Sequence, residues 1–124
     1  VHAGPVEERA LRDPGRSVAL HLDVDPTAIL QADEEDVFVV VHGTDTMDLT
    51  ARTLAEHLHD RVIVLVGAMV PYSIDQTEAS LNLGMALGFA ATRPAPGVYI
   101  CMSGIIAPHE QIQKNRAEGR FEIV

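Results

Sequence analysis

A chain of 124 residues is long enough for one domain with a real core but short for an enzyme that must also enclose a site, so help from a second copy is expected. Hydrophobic residues at 47% and charged ones at 22% are the usage of an ordinary globular chain, and with aromatics at 4% and no Trp the core must be built from aliphatic side chains. A formal net charge of -9 opposes both phosphate backbones and anionic membranes, so nucleic acid and membrane are excluded as expected partners.

Residues 1–36 read as an irregular arm. They carry Gly4, Pro5, Pro14 and Gly15 without a sustained apolar period, with room for a short helical turn at 6–11, a strand at 18–22, and a helix start at Asp25-Pro26 running into 27–30. The acidic stretch 33–36 is a solvated loop on this reading. The chain begins at Val1 rather than Met, which leaves room for a preceding segment.

From Val37 the signals alternate, and residues 37–124 are expected to form one α/β domain. The runs VFVVV at 37–41 and VIVLV at 62–66 are short, continuous and β-branched, the pattern of strands buried on both faces of a parallel sheet. Between them Met47, Leu49, Ala51, Leu54, Ala55 and Leu58 fall at helical spacing, which makes a βαβ unit. Its crossover is expected to be right-handed, with Gly43 and Gly67 on one edge of the sheet. Residues 71–77 read as a loop, and 79–91 as a helix apolar nearly all round and therefore packed deep. A strand follows at Gly97–Met102, then a turn or short excursion at 103–108 and a last strand at 121–124. The fold class is α/β: a three-layer, mostly parallel, doubly wound sheet.

Chemistry is expected where the first buried strand meets its helix. Residues 42–47 read HGTDTM, and open α/β sheets collect ligands at the carboxyl ends of their strands, where a following helix adds free N–H groups and partial positive charge. In the plain account, Asp45 or Thr46 caps that helix and Gly43 permits the turn. In the functional account, the Thr44 hydroxyl attacks a carbonyl after losing its proton to a base. Lys114, the only lysine beside eight arginines, is the candidate base, with Asp45 holding its ammonium. Its plain alternative is a solvated charge next to Gln113, Asn115 and Arg116.

His42 reads as a satisfied strand-end residue rather than a base. His57 and His59, two apart on a helix, make a poor metal pair, and Cys101 inside a strand reads as an inert buried thiol. There is no zinc spacing, no GxGxxG and no Walker loop, so chemistry without metal or cofactor is expected. One cysteine forms no internal disulfide, no apolar run approaches the roughly 20 residues of a spanning helix, and the N-terminus lacks a signal-peptide layout; a cytoplasmic location is the default expectation.

These residues resemble a known family. The segment 37–124 is similar to the bacterial-type L-asparaginases, in particular their short single-domain members, on the strength of HGTDTM at 42–47, GAMVP at 67–71, Asn82 in its helix, MSG at 102–104 and QKNRAEGRFE at 113–122. The resemblance implies an asparaginase-like N-terminal-domain fold, a homodimer or homotetramer, and a small amino-acid substrate. It puts Thr44, Asp45 and Lys114 at the family's Thr-Asp-Lys triad, with Gly43, Thr44, Asp45 and Ala68 around the substrate and Asp45 on its α-ammonium. The implied reaction is amide hydrolysis, L-asparagine to L-aspartate and ammonia.

The family's opening TGGT motif, whose Thr is taken as its first nucleophile, has no counterpart in these residues; Val24 stands where a hydroxyl is expected, Val70 replaces an Arg, and Glu78 lies near an expected Asp. An upstream segment, the strand at 18–22, or a strand from another copy would have to fill that place. The alternative to an amidohydrolase is a catalytically impaired homolog that binds an amino acid or a partner chain. A third reading keeps only a generic doubly wound sheet with another small ligand in the same crevice.

Overall fold

The computed structural model describes residues 18–22 and 36–124. The readings at 6–11, at Asp25-Pro26 with 27–30, and at 33–35 lie outside the described residues.

Among the described residues seven strands and two α-helices follow one another: β1 (Ala19–Leu22), β2 (Val37–Val41), α1 (Met47–His57), β3 (Val62–Val66), α2 (Thr77–Ala91), β4 (Gly97–Met102), β5 (Ile105–Pro108), β6 (Ile112–Asn115) and β7 (Arg120–Ile123), with a short 3-10 turn at His109–Gln111 between β5 and β6. The first five strands form one sheet in the order β1-β2-β3-β4-β5, parallel through β4 and antiparallel at β5, while β6 and β7 form a separate antiparallel hairpin.

The β-branched runs are buried as their composition demands. All five residues of β3 and the first four of β2 are buried, and the two strands pair in register from Val37–Val62 to Val41–Val66. Alternate side chains serve opposite faces. Phe38, Val40, Ile63, Leu65, Ile100 and Met102 pack with Met47, Ala51 and Leu54 of α1. Val37, Val39, Val62, Val64 and Val66 pack with Ala86 and Ala90 of α2. The domain is therefore a helix, sheet, helix sandwich, the three-layer α/β architecture expected.

That arrangement constrains handedness. The steps β2 to β3 and β3 to β4 run the same way across the sheet, yet their helices lie on opposite faces. Two such crossovers have opposite hands, so only one of them can follow the right-handed preference. A change of hand, rather than a reversal of strand order, puts a helix on each face here. It also opens a crevice between the carboxyl ends of β2 and β3, whose chains leave toward opposite sides.

Two expectations are corrected. Helix α2 is not packed deep: Asn82, Ala86 and Ala90 are buried, but Leu81 is 64% exposed and Met85 37%. Its small alanines bring it against the sheet, and hydropathy all round the helix could not say which side that would be. Residues 105–108 are a strand rather than an excursion. Ser103 (φ 56°) and Gly104 (φ 76°) both adopt left-handed backbone, the conformation of a tight two-residue turn that sends β5 back along β4.

The hairpin of β6 and β7 sits on the α1 side of the sheet. Phe121 and Ile112 are 2% and 4% exposed within the same cluster as Met47 and Met102. The Phe121 N–H donates to Ser103 Oγ at 3.0 Å. Lys114 is the cross-strand neighbour of Phe121, so the anchored ring fixes the strand from which the lysine reaches back.

Candidate functional site

Both strand exits of the central pair lie on one edge, because β2 and β3 are parallel and in register. At the β3 exit Gly67 passes so close to the other chain segment that a Cβ there would overlap the His42 carbonyl oxygen. Only glycine fits without moving backbone. The exits are tied by a hydrogen bond from the His42 N–H to the Val66 carbonyl at 2.8 Å. Beyond it, buried Asn82 donates from Nδ2 to the Gly67 carbonyl at 2.9 Å. Glu78 accepts the N–H groups of Met69 at 2.8 Å and Val70 at 3.0 Å. The carboxylate expected as Asp thus holds the turn as Glu78.

His42 is bonded at both ring nitrogens, to the Gly43 carbonyl at 2.7 Å and to Thr50 Oγ1 at 2.8 Å. A carbonyl only accepts, so Nδ1 carries a proton, and in the neutral ring Nε2 accepts from the Thr50 hydroxyl. This is the satisfied histidine expected, and it ties the strand end to helix α1.

The loop between β2 and α1 presents Thr44 and Asp45 outward, and Lys114 comes to them across the chain. Its Nζ lies 2.9 Å from Thr44 Oγ1 and 2.9 Å from Asp45 Oδ1, a juxtaposition of residues about 70 apart in sequence. The Lys114 side chain is 13% exposed, whereas Asp45 is 84% exposed. The plain reading of Lys114 as a solvated charge is therefore corrected: the β6-β7 hairpin folds it inward, and most of its stem is covered.

Arg116 joins the cluster. Its Nη1 is 3.3 Å from Asp45 Oδ1, and its Nη2 donates to the Asp45 main-chain carbonyl at 3.2 Å. The Lys114 ammonium, bonded to the carboxylate, and then Arg116 hold the Asp45 carboxyl below its usual range.

These two cations also explain a missing cap. Helix α1 starts after Thr46 with no side-chain cap hydrogen bond. The Asp45 oxygen that would cap it is turned instead to Lys114 and Arg116, so the expected cap at Asp45 or Thr46 is not made. No side-chain cap covers the N–H groups of the first turn, which lies beside the cluster.

Of the residues singled out from the sequence, Thr44, Asp45 and Lys114 meet in one cluster. Gly43 and Ala68 stand apart from it. They border a cavity of about 520 Å³ at the ends of β2 and β3, walled by Val66, Gly67, Tyr72 and Leu83. Thr44 and Lys114 border a smaller one of about 160 Å³ with Ile112 and Phe121. The loop at 43–44 separates the two.

Arg116 was missed as a site residue, although its spacing of two from Lys114 is the period that keeps side chains on one side of a strand. Among the described residues no group of three or more His, Cys, Asp or Glu side chains could hold a metal ion, and no helix is long and apolar enough to cross a membrane. His57 bonds within its own helix, to the Thr53 carbonyl. Cys101 is buried, and burial pushes its thiol up to about 11.

The chain is similar in sequence and fold to known proteins. The family described as asparaginase, N-terminal, matches residues 22–122. An L-asparaginase of Thermococcus kodakarensis is 34% identical over 95 residues, covering 74% of this chain and 29% of that protein. A glutamyl-tRNA(Gln) amidotransferase component of Methanococcus vannielii is 44% identical over 69 residues, covering 55% of this chain and 16% of that protein. L-asparaginase 1 of Escherichia coli is 30% identical over 89 residues, covering 70% and 26%. Among solved structures, the thermostable L-asparaginase from Thermococcus kodakarensis superposes with a TM-score of 0.67 at 28% identity, covering 82% of this chain and 34% of that one. The matched part of this chain thus spans 16% to 34% of the length of these relatives.

Proposed function

The chain belongs to the asparaginase family, matched over most of its length, and from that premise we propose that it is an amidohydrolase acting on the side-chain amide of L-asparagine. The observation that carries the proposal is the 2.9 Å contact of Lys114 Nζ with both Thr44 Oγ1 and Asp45 Oδ1. A hydroxyl becomes a nucleophile only beside a group that can take its proton, and lysine is the one cationic side chain here that can do so.

Thr44 Oγ bonds to the amide carbon while its proton passes to the neutral amine of Lys114. The proton then goes to the leaving nitrogen as the C–N bond breaks, releasing ammonia and an aspartyl ester on Thr44. Water adds to that ester, gives a proton to Lys114, and the C–O bond breaks with Oγ reprotonated. Asp45 orients Lys114 and offers an exposed carboxylate to the α-ammonium of the substrate. The uncapped N–H groups of the first turn of α1 and the nearby cations favour the negative oxygen that develops. Gly43 and Ala68 form the wall of the adjoining cavity on this reading. The substrate is a small amino acid, no cofactor or metal is needed, and a second copy in a homodimer or homotetramer covers the open side. A cytoplasmic site of action is part of this reading.

The second reading is a catalytically impaired homolog that binds an amino acid or a partner chain without turnover. It draws on the 84% exposure of Asp45, which leaves the cluster open on one side. Incubation of the pure protein with L-asparagine, followed by ammonia measurement beside Thr44→Ala and Lys114→Met, separates the two. Ammonia release abolished by both changes supports the hydrolase. Aspartate binding without ammonia from the starting protein supports the second reading.

A further inference from the structure

Asp45 is held by two cations, and only Lys114 carries a proton in the chemistry above. Lys114 and Arg116 share the oxygen Oδ1, at 2.9 and 3.3 Å, and Arg116 alone also reaches the Asp45 main-chain carbonyl, at 3.2 Å. We propose that Arg116 is a positioning residue: its fork clamps the side chain of Asp45 to its own main chain and keeps the Thr44–Asp45 loop in place while Lys114 changes charge. The inference rests on reading Thr44, Asp45 and Lys114 as a hydrolytic site.

Three observations lead there. Beyond the His42 bond to the Gly43 carbonyl, few side chains hold the loop, since Asp45 is 84% exposed and α1 has no side-chain cap at its start. The only side-chain partner of Thr44 Oγ1 among the described residues is Lys114 itself. When Lys114 is neutral, its attraction for the carboxylate is reduced to that of an uncharged amine, and the loop would lose its anchor at the step that needs it. A guanidinium keeps its proton at any working pH, so Arg116 supplies the constant part of the hold.

The geometry also separates charge from shape. A lysine at 116 would keep a positive charge but lacks the planar fork whose two nitrogens reach the carboxylate and the carbonyl separately. The positive charge of Arg116 next to Asp45 meanwhile weakens the pull of that carboxylate on a substrate ammonium. Removing it should slow turnover without weakening binding.

The test compares Arg116→Gln and Arg116→Lys with the starting protein by steady-state kinetics on L-asparagine, thermal melting, and hydrogen exchange of the amides at 44–48. For Arg116→Gln the expected result is a kcat about tenfold lower with KM unchanged or up to about threefold lower, little change in Tm, and faster exchange at 44–48. Arg116→Lys should keep KM near that of the starting protein with kcat still reduced. Values of kcat and KM within about twofold of the starting protein for Arg116→Gln, or full recovery of kcat by Arg116→Lys, overturn the clamp. If Arg116→Gln fails to fold, Arg116→Lys alone decides by the same criteria. Should the starting protein release no ammonia, the hydrolase reading fails by itself, and exchange still judges the clamp: faster exchange at 44–48 in the variants supports it, unchanged exchange overturns it.

Discussion

The two strand exits that face each other across the crevice are held by different physics. The β3 exit is fixed by bonds to its main chain: the His42 N–H on the Val66 carbonyl, the buried Asn82 amide on the Gly67 carbonyl, and the Glu78 carboxylate on two consecutive N–H groups. The β2 exit is fixed by ions on an exposed carboxylate, with Lys114 and Arg116 arriving from a hairpin outside the main sheet. One exit is part of the scaffold, and breaking it costs fold stability. On the proposed reading the other is poised for chemistry, because its contacts can be rearranged by a proton or a ligand, and breaking it should cost activity. A single α/β edge thus keeps a wall held by main-chain bonds and a wall held by ions side by side.

The sharpest way to break that contrast is Lys114→Met. Kinetic assay should find ammonia release lowered by about a thousandfold, in the range that general acid-base groups supply, while the unfolding midpoint in urea stays close to that of the starting protein. A parallel collapse of stability would move Lys114 into the scaffold class. Asp45→Asn comes next. It keeps the shape but loses the charge that orients Lys114, and kcat/KM should fall by about a hundredfold with little change in urea midpoint.

On the opposite wall the signs reverse. Asn82→Ala removes a buried donor and leaves the Gly67 carbonyl unpaired, so urea unfolding should give a loss of about 1–3 kcal/mol. Activity per folded molecule should stay within a few-fold of the starting protein. A large loss of turnover with unchanged stability would erase the distinction between the two exits.

The smallest effect concerns pH. Because Lys114 and then Arg116 lower the Asp45 pKa on folding, its ionised form contributes stability above the unfolded value of about 3.8, and that contribution is lost as pH falls through the lower folded value. Unfolding midpoints of the starting protein and of Asp45→Asn should therefore differ slightly above pH 4 and converge in more acid solution. Curves that diverge on acidification would contradict the ion cluster.

How much of this was legible in the sequence follows the same division. The β-branched runs at 37–41 and 62–66 declare strands buried on both faces, and HGTDTM marks the junction where their chain turns outward. Lys114 stood out by being the only lysine, and its partners Thr44 and Asp45 by lying at a strand exit. Pairings set by a single backbone conformation were not legible: Ser103 in left-handed backbone starts a hairpin, though nothing in its side chain announces it. The exposed face of α2 could not be read from hydropathy, since Ala86 and Leu81 both count as apolar, yet the smaller one lies against the sheet and the larger one faces outward. The cap at Asp45 failed for a long-range reason, because two cations about 70 residues away compete for the same oxygen.

If Thr44 and Lys114 work as nucleophile and base in one site, a covalent intermediate must pass through Thr44. The most direct measurement is peptide mapping of the protein quenched in acid during turnover of L-asparagine. An aspartyl ester on the peptide carrying Thr44, absent when Lys114 is replaced by Met, is the predicted result. Ammonia release with the ester on another residue, or with no ester on Thr44 at any quench time, would contradict it.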